Sequence, residues 1–366
     1  LNLLAAALAW RSGGASRAVE KAAVPAHADV PLLDGGSRSV LAWLFAFSGF
    51  GALAFQMAWV RLFGLVFGSS VYSFSAVLGV YLLGIALGAA LIGPHLKKLA
   101  TLSGFAVLQL VLAASAALAV QAFPGLPQRM LEMGAAAGTD WRGLLTAETM
   151  TVAVLIGLPC LVLGALFPVT VRLLQSRDGG HATGFAYAVN TVGTIAGSLV
   201  AGFILVPRFG VQGTHLLAVG IAALAGVVAL GLAFKRGERA GVAPVLAVAA
   251  LLATALFMFI APKWDPTLMT AGVYRPSHAM KVSAFAGGAP DAVRRATLND
   301  RVLYYREGIN TSVILGTDPI GKELWLRVGG KVDASTSDME TQVLLGLLPA
   351  ALADSGARAL VIGHGS

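Results

Sequence analysis

The stretch FSGFGALAFQMAWVRLFGLVFGSSVYSFSAVLGVYLLGIALGAALIG, residues 47–93, contains a single charged side chain, Arg61. It forms two long apolar runs with Gly68, Ser69 and Ser70 between them, and Arg61 falls just past the first run. Neither run alternates apolar and polar residues, so both predict helices rather than strands. Crossing the ~30 Å hydrocarbon core of a bilayer takes about 20 apolar residues. The stretch therefore predicts two membrane-spanning helices.

Similar long apolar runs with few charged residues recur along the chain up to residue 261. Hydrophobic residues make up 57% of the sequence and charged residues only 12%, and the mean hydropathy is +0.79. Soluble domains carry about 25% charged residues. The fold predicted is a multi-pass α-helical membrane protein with a C-terminal α/β domain. Its seven apolar stretches are 41–60, 71–93, 102–123, 146–168, 184–206, 214–234 and 241–261.

The net positive charge belongs to the loops that flank these stretches. Lys and Arg number 26 against 18 Asp and Glu, and the excess lies beside apolar runs. This placement is typical of membrane-flanking loops, so the charge does not indicate nucleic-acid binding. The single cysteine, Cys160, can form no disulfide within the chain.

Residues 1–40 form the first of three predicted segments. LNLLAAALAW (1–10), followed by Arg11, resembles the last turns of a preceding helix, and a basic loop follows it. A signal peptide is the alternative, although a basic start and an A-x-A cleavage site are missing. The second segment, 41–261, is the seven-helix transmembrane domain. We expect the chain to be a piece of a longer protein at both ends.

The third segment, 262–366, has the charge balance of a soluble domain. RVLYYREGINTSVIL (301–315) predicts two strands around a turn at 308–310, and ELWLRV (323–328) predicts a third strand. Ser337-x-x-Glu340 is a capping-box pattern, which predicts a helix from Asp338 to about Leu348, with Pro349 kinking or ending it.

The chain ends in LVIGHGS (360–366), where an apolar strand leads into a Gly-x-Gly turn. A glycine pair at this place lets the backbone approach a nucleotide closely, because a side chain would clash. The alternative is an ordinary turn at the end of a strand.

Few polar groups fall inside the apolar stretches. They are Gln56, Gln109, Glu148 and Asn190, with Glu148 at the start of a stretch. An ion-coupled transporter keeps an ionisable group near the membrane centre, so this scarcity argues against one. Two small-residue patterns, Gly84-x-x-x-Gly88 and Gly193-x-x-x-Gly197, predict close helix packing, with a substrate pathway as the alternative.

The sequence offers no metal-binding pattern and no nucleophile motif. The histidines are scattered, mostly in predicted loops, without ligand spacing such as His-x-x-x-His. A Ser/His/Asp elbow and a Walker loop are also missing.

Several stretches together resemble one family. Residues 47–93 and GFAYAVNTVGTIAGSLVAGFILVPRFG (184–210) are similar to the membrane half of bacterial membrane-fused spermidine synthase-like proteins, whose bundle is major-facilitator-like. WDPTLMTAGVYR (264–275) resembles the junction to their soluble domain. VGGKVDASTSDMETQVLLGLLP (328–349) and ALVIGHGS (359–366) resemble the opening of the aminopropyltransferase domain.

The resemblance implies a β-hairpin unit followed by a methyltransferase-type Rossmann sheet, truncated in this chain. Such a domain transfers an aminopropyl group from decarboxylated S-adenosylmethionine to a diamine such as putrescine, without a metal. Gly363 and Gly365 match the turn around the adenosyl group, and Gln342 falls at a ligand-binding position. The catalytic residues are expected beyond Ser366, so residues 1–366 alone are not expected to catalyse. The resemblance also implies a multi-pass protein of the bacterial inner (cell) membrane.

Three places in the sequence depart from the soluble enzymes of this family. Thr311–Ser312 stand where those enzymes have Tyr-Gln, 341–343 (Thr-Gln-Val) stand in place of Tyr-His-Glu, and Ser366 in place of an acidic residue. The alternatives are therefore a transporter or polyamine-binding membrane protein with a non-catalytic soluble domain, and a purely structural bundle.

The basic residues also predict an orientation, because loops rich in Lys and Arg stay in the cytoplasm. Seven crossings then place the soluble tail outside, whereas an adenosyl-using enzyme is expected inside. Either the 241–261 stretch does not cross fully, or the tail is not an ordinary metabolic enzyme. The cytoplasmic set is Arg11, Arg17, Lys21, Arg38, Lys97, Lys98, Arg172, Arg177, Lys235, Arg236 and Arg239; the opposite set is Arg61, Arg129, Arg142 and Arg208.

Overall fold

A computed structural model describes residues 33–174, 179–238, 241–286, 289–318 and 320–354, together with 358 and 360. Over these residues the chain is mostly helical, with one small antiparallel sheet near its C-terminal end. The helices are α1 Gly35–Phe67, α2 Val71–Ile92, α3 Leu96–Leu99, α4 Leu102–Ala122, α5 Leu126–Ala137, α6 Trp141–Leu173, α7 Gly179–Val200, α8 Val206–Lys235, α9 Ala243–Phe259, α10 Pro266–Met269, α11 Pro276–Ala286, α12 Ala292–Thr297 and α13 Met339–Leu352. The strands are β1 Arg301–Glu307, β2 Ser312–Thr317, β3 Leu324–Val328 and β4 Lys331–Ser335.

Five helical stretches of the described chain are long and apolar enough to cross a membrane. They are Gly35–Phe67, Val71–Leu99, Leu102–Ala137, Trp141–Leu173 and Thr183–Lys235, and α9 adds an apolar helix of 17 residues. Their outer faces carry large apolar side chains, such as Leu83 and Leu91 on α2, which are 59% and 64% exposed. A surface of this kind suits lipid rather than water.

The fifth stretch contains two of the predicted spans, 184–206 and 214–234, because it reverses direction at Gly210. An unbroken helix of 53 residues would be about 80 Å long at 1.5 Å per residue, more than twice the ~30 Å hydrocarbon core. Gly210 has φ 73° and ψ 175°, a backbone conformation outside the helical range. One helical run ends at Gly210, three residues after Pro207, and another begins there.

Contacts with α1 show the reversal. Before Gly210, Gly193 lies against Ala46 and Gly197 lies against Phe50, so α7 runs parallel to α1. After Gly210 the order inverts, because His215 contacts Phe55 while Ile221, further along α8, lies near Gly51. The seven predicted apolar stretches therefore fall on α1, α2, α4, α6, α7, α8 and α9.

Both predicted small-residue patterns pack helices closely, as expected. At α2 and α6, a Cβ on Gly84 would overlap Cys160, and one on Gly88 would overlap the carbonyl of Leu161. At α1 and α7, a Cβ on Gly193 would overlap the carbonyl of Ala46. Backbones approach this closely only where a side chain is missing.

The helix ends gather at two opposite ends of the bundle. At what we call the basic end, Asp34 before α1 pairs with Arg236 after α8. Glu238 accepts hydrogen bonds from the backbone N–H groups of Leu102 (3.1 Å) and Ser103 (3.0 Å) at the start of α4. The opposite end, which we call the module end, carries the turn at 68–70, the Gly210 reversal and the chain after α9.

The helix α9 runs the length of the bundle beside α4. Its first half packs Ala247 and Ala250 near Leu110 of α4. At its far end, Gln121 Nε2 of α4 donates to the carbonyl of Phe257 at 2.8 Å. Because α9 begins after the basic end and finishes beside the end of α4, the following residues emerge at the module end.

The sheet is a meander in which neighbouring strands are consecutive, in the order β1-β2-β3-β4, and all pairs are antiparallel. The predicted hairpin and third strand are therefore present, and the sheet continues through β4. Of the predicted α/β domain, the described residues contain this small antiparallel sheet and several helices, and no parallel sheet. The predicted apolar strand that leads into the Gly-x-Gly turn of 360–366 lies outside them, apart from residue 360.

The predicted capping box at Ser337 is wrong. The helix α13 starts at Met339 with Asp338 as its N-cap residue, and no side chain caps it. The Ser337 hydroxyl instead donates to the Glu323 carboxylate at 2.7 Å, because the chain enters α13 through a 3₁₀ turn at Thr336–Asp338 beside β3. Pro349 lies inside the helix, which continues to Leu352.

We call residues 262–354 the module, and it docks on the helices through β1. The Glu307 carboxylate accepts a 2.7 Å hydrogen bond from the backbone N–H of Val211, the first residue after the Gly210 reversal. Gln212 fastens the chain after α9 from the same helix start, since its Nε2 donates to Pro262 O (2.6 Å) and its Oε1 accepts from Trp264 N (3.1 Å).

Candidate functional site

The residues predicted to bind the adenosyl group fall partly outside the described chain. Gly363 and Gly365 lie beyond it. Gln342 lies on the first turns of α13, where its Nε2 donates to the carbonyl of Ser335 at 3.4 Å. Ser335 in turn lines a cavity of about 570 Å³ in the module, which we call the module cavity.

The module cavity lies between the sheet and the helices α11 and α12. Its volume is in the range of small-molecule sites, about 300–1,000 Å³. Both β3 and β4 face it, and α11 supplies the opposite wall. Its charged lining residues are Arg275, His278, Lys281, Asp300, Asp318, Glu323 and Arg327.

Arg327 is the central charged group of this cavity. Its side chain is 7% exposed and pairs through Nη2 with Asp300 at 3.2 Å. The guanidinium lies 3.8 Å from the centroid of the Trp325 ring, a cation–π contact. Its Nε and Nη1 have no hydrogen-bond partner among the described residues. These two donors would suit an acceptor oxygen or an anionic group of a ligand.

Burial changes the ionisation of the groups around Arg327. It lowers the pKa of Arg327 itself and raises the pKa of Asp300, although the ion pair opposes both changes. Burial also lowers the pKa of His278, with the positive charges of Arg327, Lys281 and Arg275 acting in the same direction. The lowered pKa favours the neutral form of His278.

Two carboxylates lie on the other side of the cavity. Asp318 is engaged in the β2–β3 turn, where it accepts from the backbone N–H of Glu323 at 2.9 Å. This backbone hydrogen bond lowers the pKa of Asp318. Glu323 accepts from Ser337 at 2.7 Å. A cationic amine would find its acceptors on this side, at Glu323.

The sequence positions that depart from the soluble enzymes do not share one cavity. Gln342 lies beside the module cavity, whereas Thr311 and Ser312 line a second cavity of about 370 Å³, which we call the interface cavity. The turn at Gly329–Gly330 separates the two. The interface cavity is enclosed by the β1–β2 turn and the end of α1, including Arg61.

Glu307 is a half-buried acid that lines the interface cavity. Besides Val211, it accepts a 2.7 Å hydrogen bond from the Tyr305 hydroxyl. Burial raises the pKa of Glu307, while these hydrogen bonds and the positive charge of Arg61 lower it. The sequence analysis missed this residue, because a Glu at the end of a strand with alternating apolar and polar residues is expected to be solvent-exposed.

His215 was also missed, although it falls at the start of the predicted apolar stretch 214–234. It is 1% exposed, and its ring lies 5.1 Å from Phe55, 5.6 Å from Phe123 and 6.0 Å from Trp59. Its Nε2 lies 3.0 Å from the Ala116 carbonyl. It packs α8 against α1 and α4 inside the apolar bundle.

The described residues hold no group of three or more His, Cys, Asp or Glu side chains that could bind a metal ion. The scattered histidines of the sequence are not brought together within this part of the chain.

The comparisons with known proteins give a distant relative that matches part of the chain. No family model matches the chain, and no solved structure matches it. Polyamine aminopropyltransferase 1 of Streptomyces coelicolor is 30% identical over 207 residues, which cover 53% of this chain and 36% of that protein. The chain thus spans about a third of the length of this relative.

Proposed function

We propose that the chain belongs to a membrane-anchored protein that transfers an aminopropyl group from decarboxylated S-adenosylmethionine to a diamine such as putrescine. The observation that carries the proposal is the similarity to a polyamine aminopropyltransferase. The five long apolar stretches support the bilayer as the environment of residues 41–261, with the bacterial inner membrane as the location. Residues 262–366 would begin the transferase domain, whose Rossmann-type sheet would follow the meander.

In this reaction a neutral amine attacks the carbon next to a sulfonium. The C–N bond forms as the C–S bond breaks, the sulfur leaves as a neutral thioether, and the new ammonium group gives up a proton. The protein must hold the amine neutral and in line with the leaving sulfur. Gly363 and Gly365 would let the backbone approach the adenosyl group, with Gln342 nearby as a hydrogen-bonding side chain.

The module cavity would supply one wall of this site. The carboxylate of Glu323 is oriented by Ser337 and can accept from a bound amine. Gln342 lies next to the same wall through Ser335. The acid–base group of the reaction would come from residues after Ser366.

The test is transfer by the full-length protein. Purified protein is incubated with decarboxylated S-adenosylmethionine and putrescine, and spermidine is measured by mass spectrometry. We expect product from the natural protein and about a hundredfold less from Gly363→Val, since a misplaced reactant costs on this order. Gly231→Val, at an exposed position of α8 where a Cβ would meet no atom within 4 Å, is the control for a glycine substitution. Absence of transfer to any diamine would contradict the proposal.

A second candidate function is polyamine transport or binding without chemistry. The observation that favours it is the neutral sequence Thr-Gln-Val at 341–343, where the soluble enzymes have Tyr-His-Glu. Uptake of labelled putrescine into vesicles, together with no spermidine formation, would select this function over the first.

A further inference from the structure

A buried carboxylate of the bundle has no ion-pair partner among the described residues. Glu148 lies on α6, two turns after Trp141, and is 6% exposed. Within the described part of the chain it forms no ion pair, and Arg142, nearby on the same helix, instead lies over the Trp141 ring at 5.4 Å from its centroid. A buried carboxylate without a partner is costly, and an ionisable group inside a membrane helix indicates a functional site.

Glu148 lines a cavity of about 390 Å³ at the module end of the bundle. The cavity lies where α2 and α6 begin side by side, and Ser70 and Ser73 of the α2 start place hydroxyl groups in its wall. Ser70 also lines the interface cavity, so the two spaces adjoin. The volume far exceeds the ~30 Å³ share of a water molecule.

Two aromatic rings form the mouth of this cavity. Tyr72 and Trp141 are 64% and 59% exposed, and their ring centroids are 6.3 Å apart. Aromatic faces attract ammonium groups, and both rings can also cover the methylene groups that carry such a cation. Leu144 and Leu145 extend this apolar wall.

A metal ion does not suit this lining. Glu148 is its sole carboxylate, and hard cations such as Ca²⁺ take six to eight oxygen ligands. A carboxylate, hydroxyl groups and aromatic faces together are the partners of an alkylammonium group, which needs a counter-charge, hydrogen-bond acceptors and cover for its carbon chain.

We propose that Glu148, with Ser70, Ser73, Tyr72 and Trp141, binds a primary alkylammonium group at the module end of the bundle. The ammonium donates to the Glu148 carboxylate and the serine hydroxyls, and its alkyl chain lies against the two rings. The amine comes either from a soluble diamine or from the ethanolamine headgroup of a lipid. The site is separate from the transferase site and does not depend on the proposed reaction.

The experiment measures binding of radiolabelled putrescine to the full-length protein in phosphatidylcholine nanodiscs by equilibrium dialysis. We expect Glu148→Gln to weaken binding about tenfold or more, since a hydrogen bond to a charged group is worth roughly one decade in Kd. Glu148→Asp keeps the charge and is expected to retain part of the affinity. The matched control is Glu132→Gln on α5, whose exposed carboxylate accepts from Gln128 outside the cavity.

Three further arms identify the site and the source of the amine. Binding that survives Gly363→Val but not Glu148→Gln belongs to the Glu148 cavity, whereas binding lost in Gly363→Val and kept in Glu148→Gln overturns the proposal. Competition by 1-aminobutane but not by 1,4-butanediol supports an ammonium site, and equal competition by both contradicts it. Displacement of putrescine by phosphatidylethanolamine in the nanodisc assigns the site to the lipid headgroup, and no displacement assigns it to a soluble amine.

Discussion

Arg327 and Asp300 form a buried ion pair whose two charges depend on each other. Their side chains are 7% and 14% exposed, and burial raises the pKa of Asp300 even with the guanidinium beside it. Removing one partner of a buried pair leaves an uncompensated charge. We expect Asp300→Asn to destabilise the module by about 3 kcal/mol, the lower end of the usual range. The measurement is the thermal unfolding of the purified protein in detergent.

The control for this prediction is a pair of the same chemistry at the surface. Asp291 and Arg295 pair at 2.6 Å on α12 with side chains 48% and 57% exposed. Exposed pairs four residues apart on a helix contribute about 0.3–0.5 kcal/mol. Asp291→Asn should therefore hardly change the unfolding temperature, and equal effects of the two substitutions would show that burial is not the cause.

At the residue scale, the sequence showed where a polar residue falls in a predicted element, but it did not show what that residue contacts. Glu148 was placed at the start of a span, but its burial follows from the way α2 packs on α6. Ser337 matched a local capping pattern, yet its hydroxyl bonds Glu323 across 14 positions of the chain. Both outcomes depend on residues distant in sequence, which a local pattern does not contain.

At the scale of elements, Gly88 sets the distance between α2 and α6. A Cβ at Gly88 would overlap the carbonyl of Leu161, whereas one at Gly79 of the same helix would meet no atom within 4 Å. We expect Gly88→Ala to destabilise the bundle by about 1–3 kcal/mol, the usual cost of overpacking. Gly79→Ala should be neutral or stabilising by up to about 1 kcal/mol, because alanine is the better helix former. Fluorescence-detected size-exclusion chromatography after heating compares the two variants.

The docking of β1 on α8 gives a second prediction at this scale. Glu307→Ala leaves the Val211 N–H and the Tyr305 hydroxyl without their acceptor. Each buried polar group left unpaired costs about 1–3 kcal/mol, so the module should loosen from the helices. We expect faster cleavage by a protease in the segment 260–276, relative to the natural protein. Glu340→Ala, at an exposed position of α13, is the control, and unchanged cleavage in Glu307→Ala would contradict the docking role.

The apolar stretches were predictable because long runs without polar residues have few structural alternatives in lipid. The close helix packing at Gly84 and Gly193 was also predictable, because the spacing of the glycines is visible in the sequence itself. The reversal at Gly210 shows the opposite case. Its φ of 73° needs glycine, but the Glu307 carboxylate that caps the new helix start comes from a strand about a hundred residues later.

At the scale of the whole molecule, the two ends of the bundle differ in charge. The basic end carries Lys97, Lys98, Lys235 and Arg236, and the module lies at the opposite end, fastened by Glu307 and Gln212. The helix α9 follows α4 to the module end. We therefore expect the 241–261 stretch to cross with α4, although α9 has 17 residues and is shorter than the five long stretches.

This arrangement makes the side of the module a decisive measurement for function. Loops rich in Lys and Arg stay in the cytoplasm, so we expect the module on the outer face of the membrane. Single cysteines at Lys97 and Glu340, in a Cys160→Ser background, are labelled in intact cells with a membrane-impermeant maleimide. Glu340→Cys should react at once and Lys97→Cys only after permeabilisation. The reverse result would place the module in the cytoplasm, where an adenosyl co-substrate is made, and would favour transfer over ligand binding. The expected result would mean either that the co-substrate is exported or that the protein binds an external amine.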